Sequence, residues 1–157
     1  MLFRSDLPDW LGPFVPGARA RTDLSRAPLG EALKNLLGWH RLGELDRLAP
    51  VRVTVPSGAE RAIDYSPDSG PILPVKLQEM FGCAAPPTLA DGRHVLTLHL
   101  LSPAGRPLHI TRDLPSFWKN GYPLVRAEMR GRYPKHPWPE DPLMALPTAR
   151  TKKKLAT

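Results

Sequence analysis

One cysteine, Cys83, stands in 157 residues, so no internal disulfide can hold this chain, and a lone thiol fits a reducing cytoplasm. Long apolar runs are lacking too: none approaches the roughly 18 residues a membrane span needs. The opening "MLFRSDLPDW" has no cationic region followed by an apolar stretch and a small-residue cleavage site, so nothing directs export. The expected location is the cytoplasm, with no membrane partner. Also missing are the phosphate loop G-x-x-x-x-G-K-[ST], the dinucleotide pattern G-x-G-x-x-G and the nucleophile elbow G-x-S-x-G, which argues against an autonomous nucleotidase or hydrolase. No internal repeat of the roughly 20 to 50 residues that marks a solenoid is visible. Acidic residues are in deficit, with 15 Asp and Glu against 22 Lys and Arg, a formal charge of +7 and a pI near 10.0. That balance favours polyanionic partners through counterion release.

What the sequence has in quantity is proline, 20 residues spread along the chain, with 41% hydrophobic content. The apolar content suffices for a core, since a domain of about 150 residues buries roughly 70% of its unfolded surface. The prolines cut that core into short elements. "SDLPDWLGPFV" predicts one short turn of helix presenting Leu7, Trp10, Leu11 and Phe14. "APLGEALKNLLG" places Leu29, Leu33, Leu36 and Leu37 at helical spacing, with Pro28 near the first position and Gly38 as the stop. Leu42, Leu45 and Leu48 continue a helical period as far as Pro50, so two helices meeting at Gly38 are expected.

The period then changes. "VRVTV" and "RAIDY" alternate around "PSGAE", which predicts a hairpin over 51–65 with Val53 facing Ile63, Val51 facing Tyr65 and Arg52 facing Asp64. "LPVKLQEMFG" reads as a helix of about two turns, with Pro74 in its first turn and Gly82 closing it. "HVLTLHLL" and "PLHIT" around "SPAGR" predict a second hairpin pairing Leu100 with Leu108, Leu98 with Ile110, His99 with His109 and Thr97 with Thr111. Beyond it, Asp113 caps a helical turn at 113–119. A helix over 122–132 turns Tyr122, Val125 and Met129 inward and Arg126 and Arg130 outward. The expected fold class is α+β: N-terminal helices, two β-hairpins forming a small antiparallel sheet with a short helix between them, C-terminal helices, and an extended Pro-rich basic tail. The organisation read from this is a helical segment 1–50, an α+β domain 51–133, and an extended or disordered basic tail 134–157.

Candidate chemistry is sparse. His99 and His109, if opposite, lack the further ligands a zinc site needs, and the spacing of Cys83 and His94 matches no zinc module, so no metal is expected. Cys83 has no recognisable activating partner. Asp64, Asp68 and Asp91 sit in or near turns, where carboxylates bond backbone amides. Catalytic residues are accordingly not assigned. The basic elements say more. Lys119, Arg126, Arg130, Arg132 and Lys135 face only Glu128 between 119 and 135, and Arg150 with Lys152, Lys153 and Lys154 follow. Arginines one helical turn apart can grip two phosphates. These five residues are the candidate nucleic-acid contacts. A solvated helix face with a basic tail would leave the same pattern. Tyr133 and Trp138, within "RGRYPKHPWPEDP", are the candidate protein-docking side chains, because a proline-stiffened segment loses little chain entropy on binding.

The stretches "LPDWLGPF", "VTVPSGAERAIDYS", "PVKLQEMFG", "LLSPAGRPLHITRDLPSFWKNGYPLVRAEMRGRYPKHPWPEDP" and "PTARTKKK" closely resemble the carboxy-terminal region of bacterial HrpB-type ATP-dependent helicases of the DEAH-box group. The resemblance covers nearly the whole chain and is strongest from Val51 to Lys154. It implies an accessory domain, non-catalytic alone, of a motor whose nucleotide-binding lobes lie upstream. ATP and magnesium would belong to those lobes, and no cofactor is expected here. Implied partners are nucleic acid, RNA before DNA, and the motor lobes in cis or in trans, with the domain itself a monomer. The alternative is a docking module that packs on the motor or recruits a protein without touching nucleic acid.

Overall fold

Residues 7–19 and 21–151 are described by a computed structural model. They form two compact units, 1–48 and 49–157. Lys152 to Lys154, expected in a basic tail, lie outside the described residues.

The first unit is helical. A short helix α1 (Leu7–Leu11) runs into a 3-10 turn, and α2 (Arg21–Leu24) and α3 (Leu29–Leu48) follow. Gly38 interrupts α3 with φ 70° and ψ 164°, a region open almost only to glycine. The helix therefore consists of two segments meeting at the residue the sequence marks as a stop. α1 packs against α3, and Leu11 and Ala32 are the buried hydrophobics among the described residues of this unit. The leucine stripe behaves differently from its usual role: Leu29, Leu33, Leu36 and Leu37 remain between 37% and 49% exposed, and Trp39 is 93% exposed. An apolar helical period marks a face that can be buried, without specifying what covers it.

The second unit is the α+β body. β1 (Arg52–Thr54) and β2 (Glu60–Ala62) form the first hairpin, but in a register two residues from the expected one, with Val53 opposite Arg61 and Arg52 opposite Ala62. The cause is a buried charge. Glu79 is fully enclosed, and Arg61 reaches it with Nε 2.8 Å from Oε2 and a second contact from its terminal nitrogen to Oε1. An enclosed carboxylate requires such a partner, and that requirement outweighs pairing Val53 with Ile63 across the strands. The pair in turn holds the Arg61 guanidinium above its ordinary pKa.

The predicted helix at 73–82 is instead a strand, β3 (Ile72–Lys76), followed by a 3-10 turn, Leu77–Met80. Leu73 and Val75 alternate inward and the turn is buried throughout, Gln78 and Glu79 included, so no polar helix face exists. Pro74, which lacks an N–H, is tolerated because β3 is an edge strand. The main sheet has the order β3, β6 (Thr97–Leu101), β7 (Pro107–Thr111). β3 runs parallel to β6, and β7 antiparallel to it. One four-stranded antiparallel sheet is therefore corrected to a mixed three-stranded sheet with the first hairpin separate. A small hairpin, β4 (Thr88–Leu89) and β5 (His94–Val95), lies in the crossover that a parallel pair demands.

The second hairpin forms where expected but is shifted by one residue. Leu98 pairs with Thr111, His99 with Ile110 and Leu100 with His109, and a bulge follows at Leu101. The bulge lets Leu108 pack on the core while the His109 ring stacks on Phe117 at 4.7 Å. Ile110 is turned outward in exchange, 59% exposed. The expected His99–His109 pair is consequently not formed.

Candidate nucleic-acid interface

The basic residues lie on a helical rod that begins as predicted. Asp113 Oδ1 accepts from Ser116 N at 2.9 Å, and Pro115 sits in the first turn of α4 (Leu114–Ser116), where its missing N–H is no loss. A π-turn (Phe117–Gly121) leads directly into α5 (Tyr122–Arg132). Gly121 is needed there: a Cβ would lie 2.7 Å from the Phe117 ring. The wide turn brings Phe117, Trp118 and Tyr122 into one aromatic cluster with Phe81, and Trp118 and Tyr122 meet edge-on at 5.5 Å. Tyr122 and Met129 are buried and Val125 is half-buried, so the inward stripe of α5 is the predicted one.

The five candidate cations do not share one environment. Lys119, Arg130 and Lys135 are exposed and make no ion pair with any described residue. Arg132 is exposed and lies 3.3 Å from Glu128 one turn earlier, a surface pair of small energetic consequence. Arg126 is committed to its own domain. Its side chain is only 25% exposed, its Nε donates to Trp138 O at 3.0 Å, and a terminal nitrogen meets Glu140 Oε1 at 3.2 Å. The outward position predicted for Arg126 is thus occupied by the following chain.

That following chain is extended and packed. Tyr122 Oη donates to Pro139 O at 2.8 Å, Gly82 N to Pro142 O at 2.9 Å, and Thr148 N to Gln78 O at 2.8 Å. Burial pushes the Tyr122 hydroxyl well above its ordinary pKa, against a smaller opposing effect of the Arg126 charge, so it stays a donor. Trp138 is buried in the main core and gives its Nε1–H to Tyr133 O at 3.0 Å. Tyr133 is half-buried against the same core. Both aromatic candidates for docking are therefore employed within the domain, as the anchor of a strap over 133–148.

Charge is divided unevenly between the units. Residues 49–157 hold fifteen of the 22 cationic side chains and nine of the 15 acidic ones, so nearly the whole surplus is theirs. Sequence reasoning passed over one member of that surplus. Arg112 Nε donates to Thr97 Oγ1 at 2.7 Å and a terminal nitrogen to Ser69 O at 2.9 Å. Those partners are far away along the chain, so no local pattern marks it. Among the described residues no group of three or more His, Cys, Asp or Glu side chains is placed to hold a metal ion, and no helix is long and apolar enough to cross a membrane.

The model of a family described as ATP-dependent helicase C-terminal (HrpB_C) matches residues 10–142. The ATP-dependent RNA helicase HrpB of Escherichia coli (strain K12) is 50% identical over 147 residues, which are 94% of this chain and 18% of that protein. A crystal structure of the E. coli DExH-box NTPase HrpB superposes with a TM-score of 0.83 at 49% identity, over 93% of this chain and 18% of that one. A crystal structure of the E. coli DEAH/RHA helicase HrpB gives 0.66 at 47% identity, over 85% and 17%. The chain thus spans less than a fifth of the length of these relatives.

Proposed function

This chain belongs to the HrpB_C family of ATP-dependent helicase C-terminal domains, and from that premise we propose that it is a non-catalytic accessory domain that helps a helicase motor hold nucleic acid, RNA in the first place. The observation that carries the reading is the set Lys119, Arg130 and Lys135. These cations are exposed along and just beyond the α4–α5 rod, free of acidic partners among the described residues, on the unit holding nearly all the surplus charge. A flexible lysine or arginine without an internal partner binds phosphate at little cost in competing interactions. Arg126 contributes indirectly, by fixing the strap beside them. ATP and magnesium belong in this reading to the motor lobes, and the purified chain should hydrolyse no ATP, with or without RNA. Turnover above a no-protein blank would overturn that part.

The binding test is fluorescence anisotropy of the whole chain with single-stranded RNA across a salt series. Log affinity should fall with log salt by about 0.7 per phosphate contact on a single strand. The triple variant Lys119→Glu, Arg130→Glu, Lys135→Glu should flatten that slope by about two. Unaltered affinity and slope in the triple variant would refute the reading.

A second reading, docking onto the motor lobes, is favoured by a different observation, the exposed leucines of α3. An apolar face of this kind commonly marks a protein contact. Co-elution with separately produced HrpB-type motor lobes, lost on Leu33→Ser with Leu36→Ser, would support it. Co-elution unaffected by that pair would exclude this face.

A further inference from the structure

The outer face of the main sheet carries a feature that the α4–α5 cations do not explain. Because β6 and β7 are out of the simple register, His99 and Ile110 lie opposite each other on the side away from the core. With Ile72 and Thr97, also paired across strands, they floor an open depression of about 740 Å³. A neighbouring depression of about 560 Å³ is lined by Arg93, His94 and Val95. Ser69 and Arg112 line both. Arg112 is held there by Thr97 Oγ1 and Ser69 O and forms no ion pair with a described acid. Its remaining N–H groups are therefore oriented in advance and available to a ligand.

The chemistry is that of a flat floor beside a fixed cation. An imidazole and an aliphatic side chain side by side on a sheet present a surface on which a planar ring can stack, and unpaired nucleic-acid bases use such surfaces. The cation bordering it without an acidic partner among the described residues is Arg112, while Arg93 donates to Ala90 O at 3.0 Å. The nearby acids are engaged: Asp64 accepts from both the amide and the hydroxyl of Ser66, which hold its carboxyl below its ordinary pKa, and Asp91 lies 3.7 Å from Arg93.

We propose that the outer face of β3, β6 and β7 is a binding site for single-stranded nucleic acid, taking a base on the His99–Ile110 floor and an adjoining phosphate at Arg112. The site rests on the reading that this chain contacts nucleic acid, and adds to it a base-stacking surface separate from the α4–α5 rod. A strand held here would be recognised by its unpaired base, so duplex should bind less well.

The test uses the whole chain with short oligouridylate, oligodeoxyuridylate, a duplex of the same length and polyglutamate. His99→Ala with Ile110→Ser should weaken oligouridylate binding roughly tenfold, as the loss of one stacked base does, with an unchanged melting temperature. Arg112→Ala should weaken it similarly. Because Arg112 also braces Ser69 and Thr97, the His99 and Ile110 pair, whose side chains make no hydrogen bond to a described residue, keeps the test decisive if Arg112→Ala folds poorly. Equal loss for the two oligonucleotides marks a site blind to the sugar, and greater loss for oligouridylate a contact with the 2′-hydroxyl. Retained binding in the His99 and Ile110 variant, with loss in the Lys119, Arg130 and Lys135 variant, would discard this site and leave the broader reading standing. No binding of any nucleic acid by the unaltered chain would end both. Tighter binding of polyglutamate than of oligouridylate would make the occupant an acidic peptide and overturn the proposal.

Discussion

The two units of this chain use leucine in opposite ways. In the body, Leu73, Leu77, Leu96, Leu98, Leu100 and Leu114 are completely buried in one core. In the helical unit, Leu29, Leu33, Leu36 and Leu37 stand substantially exposed and the described core is Leu11 and Ala32. The body also holds an ion pair whose carboxylate is enclosed, Glu79 with the part-exposed Arg61, whereas the helical unit's Lys34–Glu31 pair, 3.0 Å apart, lies in water with both side chains more than half exposed. The same residue types therefore serve internal cohesion in one unit and remain available for external contact in the other.

The largest expected effect separates the two ion pairs. Arg61→Met leaves the enclosed Glu79 carboxyl without its partner and should cost about 3–5 kcal/mol, while Lys34→Met should cost at most about 1 kcal/mol. Urea unfolding of both variants checks this, and equal costs would mean that the Glu79 carboxyl is hydrated in solution. Next in size, Leu98→Ala should lose about 2–5 kcal/mol and Leu36→Ala within about 0.5 kcal/mol. A large loss at Leu36 would make the helical face part of a core rather than a free surface. Gly121→Ala drives a methyl into the Phe117 ring and should cost about 1–3 kcal/mol, read as a drop in melting temperature, and a neutral result would show that the π-turn relaxes easily.

The smallest effect is a pH dependence confined to the body. Burial, and then the Lys76 charge, lower the His136 pKa from its ordinary 6.5. The strap contribution is therefore present in full above about 6.5 and lost as pH falls through the lower folded value. Amide exchange across 133–142 should quicken on acidification, and His136→Phe should flatten the dependence. Exchange independent of pH in the unaltered chain would show that His136 does not anchor the strap.

Much of the organisation was legible because it is local. Gly38 as a break, Asp113 as a cap with Pro115 behind it, and the Tyr122, Val125 and Met129 stripe each follow from backbone or periodicity rules that act within a few residues. The misread elements depend on distant partners. Val53 fails to meet Ile63 because Arg61 must reach Glu79, and Ile72–Lys76 is a strand because β6 accepts it in parallel. Of the candidate contacts, Lys119, Arg130 and Lys135 are exposed as a charge run suggests, whereas Arg126 is claimed by a carbonyl and a carboxylate further along the chain. Arg112 carried no local signal, since its partners lie on two other segments.

The sequence by itself determined the family, the α+β class, the excess of positive charge, the break at Gly38 and the Asp113 cap, because these are set by composition and neighbouring residues. Tertiary structure alone decided the registers of both hairpins, the parallel strand, the strap tied down through Arg126 and Trp138, and the exposure of the α3 leucines. Each depends on enclosing a charge, filling a core or leaving a face uncovered, and those outcomes are fixed only when distant segments meet.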